Sequence, residues 1–407
     1  MSQNLITFEK ALKENYLPVW RNQLGVEPSA LLSKIKKPTL KANKIVATAP
    51  VGLSGGFGFG AEGAATPAAG GVRFERFETE SKDMYVNIVI SAKAVRLTGT
   101  GGAMANALDT EVKAAYKTAK WNVGRALFGN GSGILTTISA LGVAGNTITV
   151  DSTKYLKEGL IIDIYATGAD VPQANGAGRR ILSVDRAKNT ITISGTASTF
   201  AEGFITVQHS YNREITGLGA IFDDDVATIY GVNKAENAFL YPISYDAGND
   251  IDDGTITKVL RMAKNDKNSN IDTFLCGDAA YDNYVNYLRT NNIRVEEMSH
   301  TISGGFKAIK FLFGNKVVDI INDSFVPDEE MWGVESGCLE LHSQEWNFAE
   351  LQGGGIFNLM EDQSNYRALL ANYGDLICTN PGGCVRIYNC AESFCTISCV
   401  NCYPLRS

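Results

Sequence analysis

Six of the eight cysteines crowd the last thirty residues of the 407-residue chain: Cys378, Cys384, Cys390, Cys395, Cys399 and Cys402. Thiols at that density stay free, pair as disulfides within or between chains outside a reducing compartment, or bind a metal. Cys399-Val-Asn-Cys402 is a single C-x-x-C, and a zinc site needs a second pair or histidines at matching spacing. Disulfides among these six are therefore the candidate chemistry of the tail, beside free thiols, and no metal is expected. His209, His300 and His342 lie far apart, with no second ligand or nucleophile at a recognisable spacing. Gly58–Gly63 (GFGAEG) satisfies G-x-G-x-x-G, but Ala64-Ala65-Thr66-Pro67 follows where a dinucleotide site needs a helix. Gly99–Gly102, in TGTGG, is better placed to cradle a phosphate, yet no acidic residue or Lys-Ser/Thr completes a known pattern. The acidic clusters Asp223–Asp225 and Asp250–Asp253 lack the closing glutamate of a calcium loop and read as helix cap and solvated turn. With acid, base and nucleophile nowhere grouped, the expectation is a chain that is not an enzyme and takes no cofactor.

Charge is the next chemical signal. The chain has net charge −7, but residues 1–44 carry eight basic residues against three glutamates, +5, which leaves −12 elsewhere. Lys34, Lys36, Lys37 and Lys41 are the densest part of this N-terminal arm. Such a run is either a solvated positive face or a contact for nucleic acid or an acidic neighbour. The start of the chain lacks a basic-then-apolar signal pattern, and no window holds eighteen consecutive apolar residues. The expectation is cytoplasmic synthesis and no membrane.

The elements that would position these groups are organised around Leu108–Phe128. Leu108, Val112, Ala115, Tyr116, Ala119, Val123, Ala126 and Leu127 recur at the spacing of one helical face, with Lys113, Lys117, Lys120 and Arg125 opposite. Asp109 or Thr110 can cap this helix, and Gly129-Asn130-Gly131 stops it. Before it, residues 46–71 are mostly Gly, Ala, Thr and Pro and bury too little to order alone. Val72–Glu78 and Met84–Ser91 read as a two-stranded ribbon joined by the turn Thr79–Asp83. A ribbon with such a tip is marginal in isolation and makes sense lying on a neighbouring copy. Phe57, Phe59, Glu62, Arg73 and Arg76 are its candidate contact residues. From Gly142 to Val207 five short strands, including NTITV and NTITI, read as a small β-barrel or sandwich. Residues 215–332 are mixed α/β, with Asp253 capping a helix that carries Ile256, Val259, Leu260 and Ala263. Trp346–Leu376 reads as one or two long strands broken by Gly353–Gly355.

A basic arm, a glycine-rich loop on a ribbon ending in VNIVIS and a long Ala-rich helix ending in ALFGNG form an order that resembles the major capsid protein of tailed bacteriophages. GNKVVDIINDSFVPDEEMWGV and NYRALLANYGDLICTNPGGCVRI resemble that family's downstream strands and turns. The fold implied is α+β, of the Hong Kong 97 type, with a small β-domain inserted. Its parts would be an N-terminal arm (1–45), an extended loop (46–91), a peripheral domain (92–137 and 336–375) with spine helix 108–128, the inserted β-domain (138–211), a central domain (212–335 and 376–396), and a cysteine-containing tail (397–407). The function implied is self-assembly into an icosahedral shell of hexamers and pentamers around packaged double-stranded DNA, held without sequence preference by the basic arm. Scaffolding, portal and decoration proteins are the implied partners, in a virion assembled in the host cytoplasm. A β-rich surface adhesin or decoration protein is the rival reading, with a nucleotide-binding enzyme behind it. Some relatives crosslink a loop lysine to an asparagine; Lys82 is the sole lysine of the loop, at its base, and no partner is identifiable.

Overall fold

The helix expected over 108–128 runs unbroken from Ala103 to Ala126 in the computed structural model of the chain. It begins ahead of Asp109 and Thr110 because the preceding stretch, AMANAL, is itself rich in strong helix formers. The structure describes residues 10–391 apart from 11, 21–28, 52–54, 61–62, 64–67, 69, 93–102, 139–144, 292–307, 351–354 and 361–363. Val112, Ala119, Ala126 and Leu127 are buried while Lys113 and Lys117 are exposed, as a 3.6-residue period requires.

The covered face of the helix lies on a sheet built along the 14-residue strand Asn365–Cys378. Lys82–Ser91 (β3) pairs antiparallel with that strand on one side, and Leu339–Ser343 with two short strands pairs on the other. Ile88, Ala368 and Leu370 from the sheet meet Val112 and Ala119, joined by Leu12, Trp20, Trp346 and Phe348.

A mixed sheet follows, in the spatial order Ile243–Asp246, Val385–Tyr388, Met331–Val334, Thr273–Cys276, Lys316–Asn322, Ile309–Phe313. Helix Asp253–Lys267 buries Ile256, Val259, Leu260 and Ala263 against it, and helix Asp278–Thr290 adds Tyr284 and Leu288. The cap of the first is Asp252, one residue before the expected one, whose Oδ1 accepts from the Thr255 amide at 2.6 Å.

The β-domain is a six-stranded sheet in the order Ile134–Ile138, Gly203–Val207, Ile161–Ala166, Arg179–Asp185, Thr190–Ile193, Thr147–Thr149. It begins at Ile134, ahead of the expected boundary at 138, because Ile134–Ile138 pairs with Gly203–Val207. The two repeats NTITV and NTITI are antiparallel partners, Thr147–Thr149 against Thr190–Ile193.

Two expectations are corrected here. The ribbon is Lys44–Val51 (β1) against Arg73–Glu80 (β2), not Val72–Glu78 against Met84–Ser91. Only Ser81 separates β2 from β3, and the two enter different sheets because β3 finds a continuous partner over ten residues of the long strand. The basic arm is also not a free arm over its second half. Ser29 caps the short helix Ala30–Lys34, whose Ala30, Leu31 and Leu32 are buried. The chain then adds to the edge of the helix-backed sheet, with Lys36 N donating to Leu339 O at 3.3 Å, Leu341 N to Lys36 O at 2.9 Å and Leu40 N to Ser343 O at 3.1 Å. Apolar burial and edge pairing draw these residues in despite their lysines. Among the described residues no helix is long and apolar enough to cross a membrane.

Candidate assembly surface

Strand alternation divides the β1–β2 ribbon into two faces. Ile45, Ala49 and Phe77 point into the chain's largest core, where the Phe77 ring lies 5.9 Å from Tyr230 and 6.5 Å from Phe239. Val46 and Phe74 are on the other face, 45% and 62% exposed. The base is tied down at Asp375, a fully buried carboxylate. Its Oδ2 accepts from Thr79 Oγ1 at 2.5 Å, and its Oδ1 accepts from the Thr216 and Leu376 amides at 2.7 and 2.9 Å. Burial raises the Asp375 pKa above the usual carboxylate value, and these donors partly offset that rise.

Beyond the ribbon the loop projects. Gly55–Gly60 are exposed, and Phe57 and Phe59, 82% and 97% exposed, meet edge-to-face with ring centroids 5.3 Å apart. The ribbon's cations are already matched within the chain. Arg73 Nε donates to Glu75 at 2.6 Å and its Nη2 to Asn237 at 3.1 Å, and Arg76 Nε lies 2.6 Å from Glu78, which Lys44 also reaches. The Lys44 hydrogen bond, ahead of the two charges, holds the Glu78 carboxyl below its usual pKa. Of the five candidate contact residues, then, two arginines are neutralised in place, two aromatic rings stand bare, and Glu62 lies outside the described residues.

The short helix Ala30–Lys34 and the end of the long helix meet at the turn Asp323–Asp328. Ser29 Oγ donates to Asp323 Oδ2 at 2.6 Å, and burial pushes that carboxyl up. Phe128, just past the helix, stacks on Phe325 at 6.2 Å and meets Trp332 at a tilt, 5.9 Å away. The Ala280 amide donates to Asp328 O at 2.8 Å, and Gly277 must be glycine because a Cβ there would sit 2.0 Å from Pro327 O. Arg125, expected among the surface lysines, is instead buried. Its two Nη atoms donate to the Glu214 carboxylate at 2.9 and 2.6 Å, fastening the helix end to the segment that returns from the β-domain. No local signal foretold this pair, whose members are 89 residues apart.

The lysine candidates fare differently from one another. Lys34 Nζ donates to Asp319 at 2.6 Å and to Thr273 at 2.9 Å, so its charge serves the fold. Lys36 lies 3.6 Å from Glu340, while Lys37 and Lys41 are on the exposed side. Of the tail's candidates, Cys378, Cys384 and Cys390 are unbridged within the chain and buried, as is Cys276. Each is packed in an apolar core rather than bridged, and burial pushes the Cys390 thiol up to about 12. Cys395, Cys399 and Cys402 lie outside the described residues. His209 is exposed, His342 is 3.2 Å from Glu340, and His300, Gly99 and Gly101–Gly102 lie outside the described residues. Among the described residues no group of three or more His, Cys, Asp or Glu side chains is arranged to hold a metal.

No protein-family model matches the chain, and no curated protein matches it either. Solved structures do. A chain of the cyanophage A-1(L) capsid asymmetric unit superposes with TM-score 0.54 at 11% identity, covering 90% of this chain and 94% of its own. The capsid of a native gene-transfer-agent (GTA) particle gives 0.45 at 10% identity over 88% and 89%, and the holo-SrpI encapsulin complex from Synechococcus elongatus gives 0.44 at 8% over 93% and 90%. The chain therefore has the fold of the cyanophage capsid subunit, the Hong Kong 97 type that its order of elements implied, with a β-domain in it.

Proposed function

We propose that this chain is the major capsid protein of a tailed bacteriophage, assembling with itself as hexamers and pentamers into an icosahedral shell around double-stranded DNA. The observation that carries this reading is the near end-to-end likeness to the cyanophage capsid chain, 90% of one and 94% of the other. The exposed Phe57–Phe59 pair adds to it: rings bare on the monomer gain a partner surface only in company. The shell is stable because every subunit makes several such contacts at once. Heterologous contacts between identical subunits close into rings when the rotation permits. DNA would be met electrostatically, without reading sequence, by exposed cations, Lys37 and Lys41 being the sequence's own candidates. Scaffolding, portal and decoration proteins are the partners such a shell requires, and the host cytoplasm is the place of assembly.

The test is an image. Purified chain examined by size exclusion and negative-stain microscopy should appear as rings, closed shells or tubes. A small globular oligomer at every concentration would refute the reading.

A further inference from the structure

We propose that the β-domain is a brace that sets the angle between the long helix and the mixed sheet, and thereby the curvature of the particle; this rests on the capsid reading above.

The domain is inserted where the long helix ends, and its two stalks are already held without it touching anything else. The Asn212 amide donates to Ser132 O at 2.8 Å, Asn130 Nδ2 donates to Asp223 at 2.8 Å, and Arg125 grips Glu214. An appendage serving only outside partners needs no more. Yet one loop of the domain, residues 154–157, reaches both neighbouring bodies. Lys154 Nζ donates to Val326 O at 2.5 Å and to the Asp328 carboxylate, and Tyr155 Oη donates to Phe325 O at 2.7 Å. Two residues further on, Lys157 Nζ sits 4.6 Å from the ring centroid of Trp121 on the long helix. Trp121 and Tyr155 each pack against both the β-domain core and the main core.

The turn these residues grip, 325–328, leads directly into Met331–Val334 of the mixed sheet, and Phe128 at the helix end stacks on the same turn. Rotating the helix relative to the mixed sheet would therefore break the Lys154 and Tyr155 bonds, the Lys157–Trp121 contact, or both. In a shell of identical subunits that angle is repeated in every copy, so a small change in it alters the radius at which the shell closes.

The test is the double variant Lys154→Met/Tyr155→Phe, which preserves volume and removes the three hydrogen bonds, with Lys154→Arg/Tyr155 as the conservative control. Amide hydrogen exchange on the soluble subunit is expected to accelerate at least tenfold over 323–330, with the β-domain strands 161–166 and 203–207 unchanged. Particles of the double variant are expected to spread into two or more diameter classes or tubes where the wild-type chain gives one class, and the arginine variant should restore one class. Unchanged exchange over 323–330 overturns the brace. Accelerated exchange with a single unchanged diameter overturns its link to curvature. If wild-type chain makes no particles, the capsid reading and the curvature claim fall together, and exchange alone decides whether the domain braces the subunit.

Discussion

Replacing Phe57 and Phe59 together with serine separates assembly from folding. The rings are 82% and 97% exposed in the single chain, so removing them takes nothing from its core, and unfolding free energy should stay within about 0.5 kcal/mol of wild type. On a neighbouring copy each ring can cover roughly 150 Å², which at about 25 cal/mol per Å² is about 4 kcal/mol of gross burial. Ordering the glycine-rich loop and imperfect coverage take back much of that, leaving about 2–4 kcal/mol per loop for the pair. At about 1.4 kcal/mol per tenfold, the concentration at which subunits assemble should rise by roughly 30- to 1000-fold. Sedimentation velocity over a concentration series reads that midpoint, and thermal unfolding reads the fold. Leucine at both positions should recover part of the loss, since it restores apolar area without the aromatic pair. A serine double variant that assembles at the wild-type concentration refutes the role of the rings. A fall of several degrees in its melting temperature would place the rings inside the fold instead.

Three further outcomes follow from buried polar groups. Arg125→Ala leaves the Glu214 carboxylate unpaired in a site where both partners are about nine-tenths buried, and should cost about 3–5 kcal/mol in urea unfolding, most of it recovered by Arg125→Met/Glu214→Leu. Asp375 has a folded pKa raised by burial, so the native state holds its proton more tightly, and its contribution to stability, complete below the unfolded value, is lost as pH rises through the folded one. Asp375→Asn keeps an oxygen for the Thr216 and Leu376 amides and turns an amide toward Thr79, so it should be at least as stable as wild type near neutral pH, with the gap closing toward about pH 4 in chemical denaturation. Cys276, Cys378, Cys384 and Cys390 are buried thiols and should resist iodoacetamide in the native chain and alkylate on unfolding without prior reduction, as read by peptide mass.

Where periodicity and packing agreed, the fold was legible in the residues. Ile256, Val259, Leu260 and Ala263 recur at helical spacing, and the structure buries all four. The long helix was legible because it has a single apolar stripe, and its start was misplaced because Asp109 and Thr110 look like caps while the Ala-rich stretch before them carries no boundary signal. Strand pairing was not legible. Alternation tells which residues of β2 and β3 share a face, but not that β3's partner is Asn365–Cys378, almost three hundred residues away. Lysine density in the arm signalled a charged surface, whereas the informative residues were Ser29 and Ala30-Leu31-Leu32, a capped apolar turn too short to show a period. Arg125 was hidden for another reason. Its position in the helix places it with lysines, and only the distant Glu214 makes burial tolerable.

Those misreadings bear on where the chain is incomplete. Charges that sequence assigned to outside partners, Lys34, Arg73 and Arg76, each have an acidic partner within the chain, as does Arg125. An ion pair already closed gains little by meeting a second surface, because it must first be desolvated. Apolar area behaves in the opposite way: it costs nothing to leave behind and gains in proportion to what covers it. Val171, Leu312 and Leu359 are also bare, at 72%, 71% and 63%, but each stands singly on a strand or turn, which is ordinary for a protein surface. Phe57 and Phe59 instead hold each other edge-to-face on a loop that projects from its own chain, a preformed aromatic pair carried by a backbone too glycine-rich to bury it. On the capsid reading proposed above, covering that pair and joining a neighbouring copy would be one event.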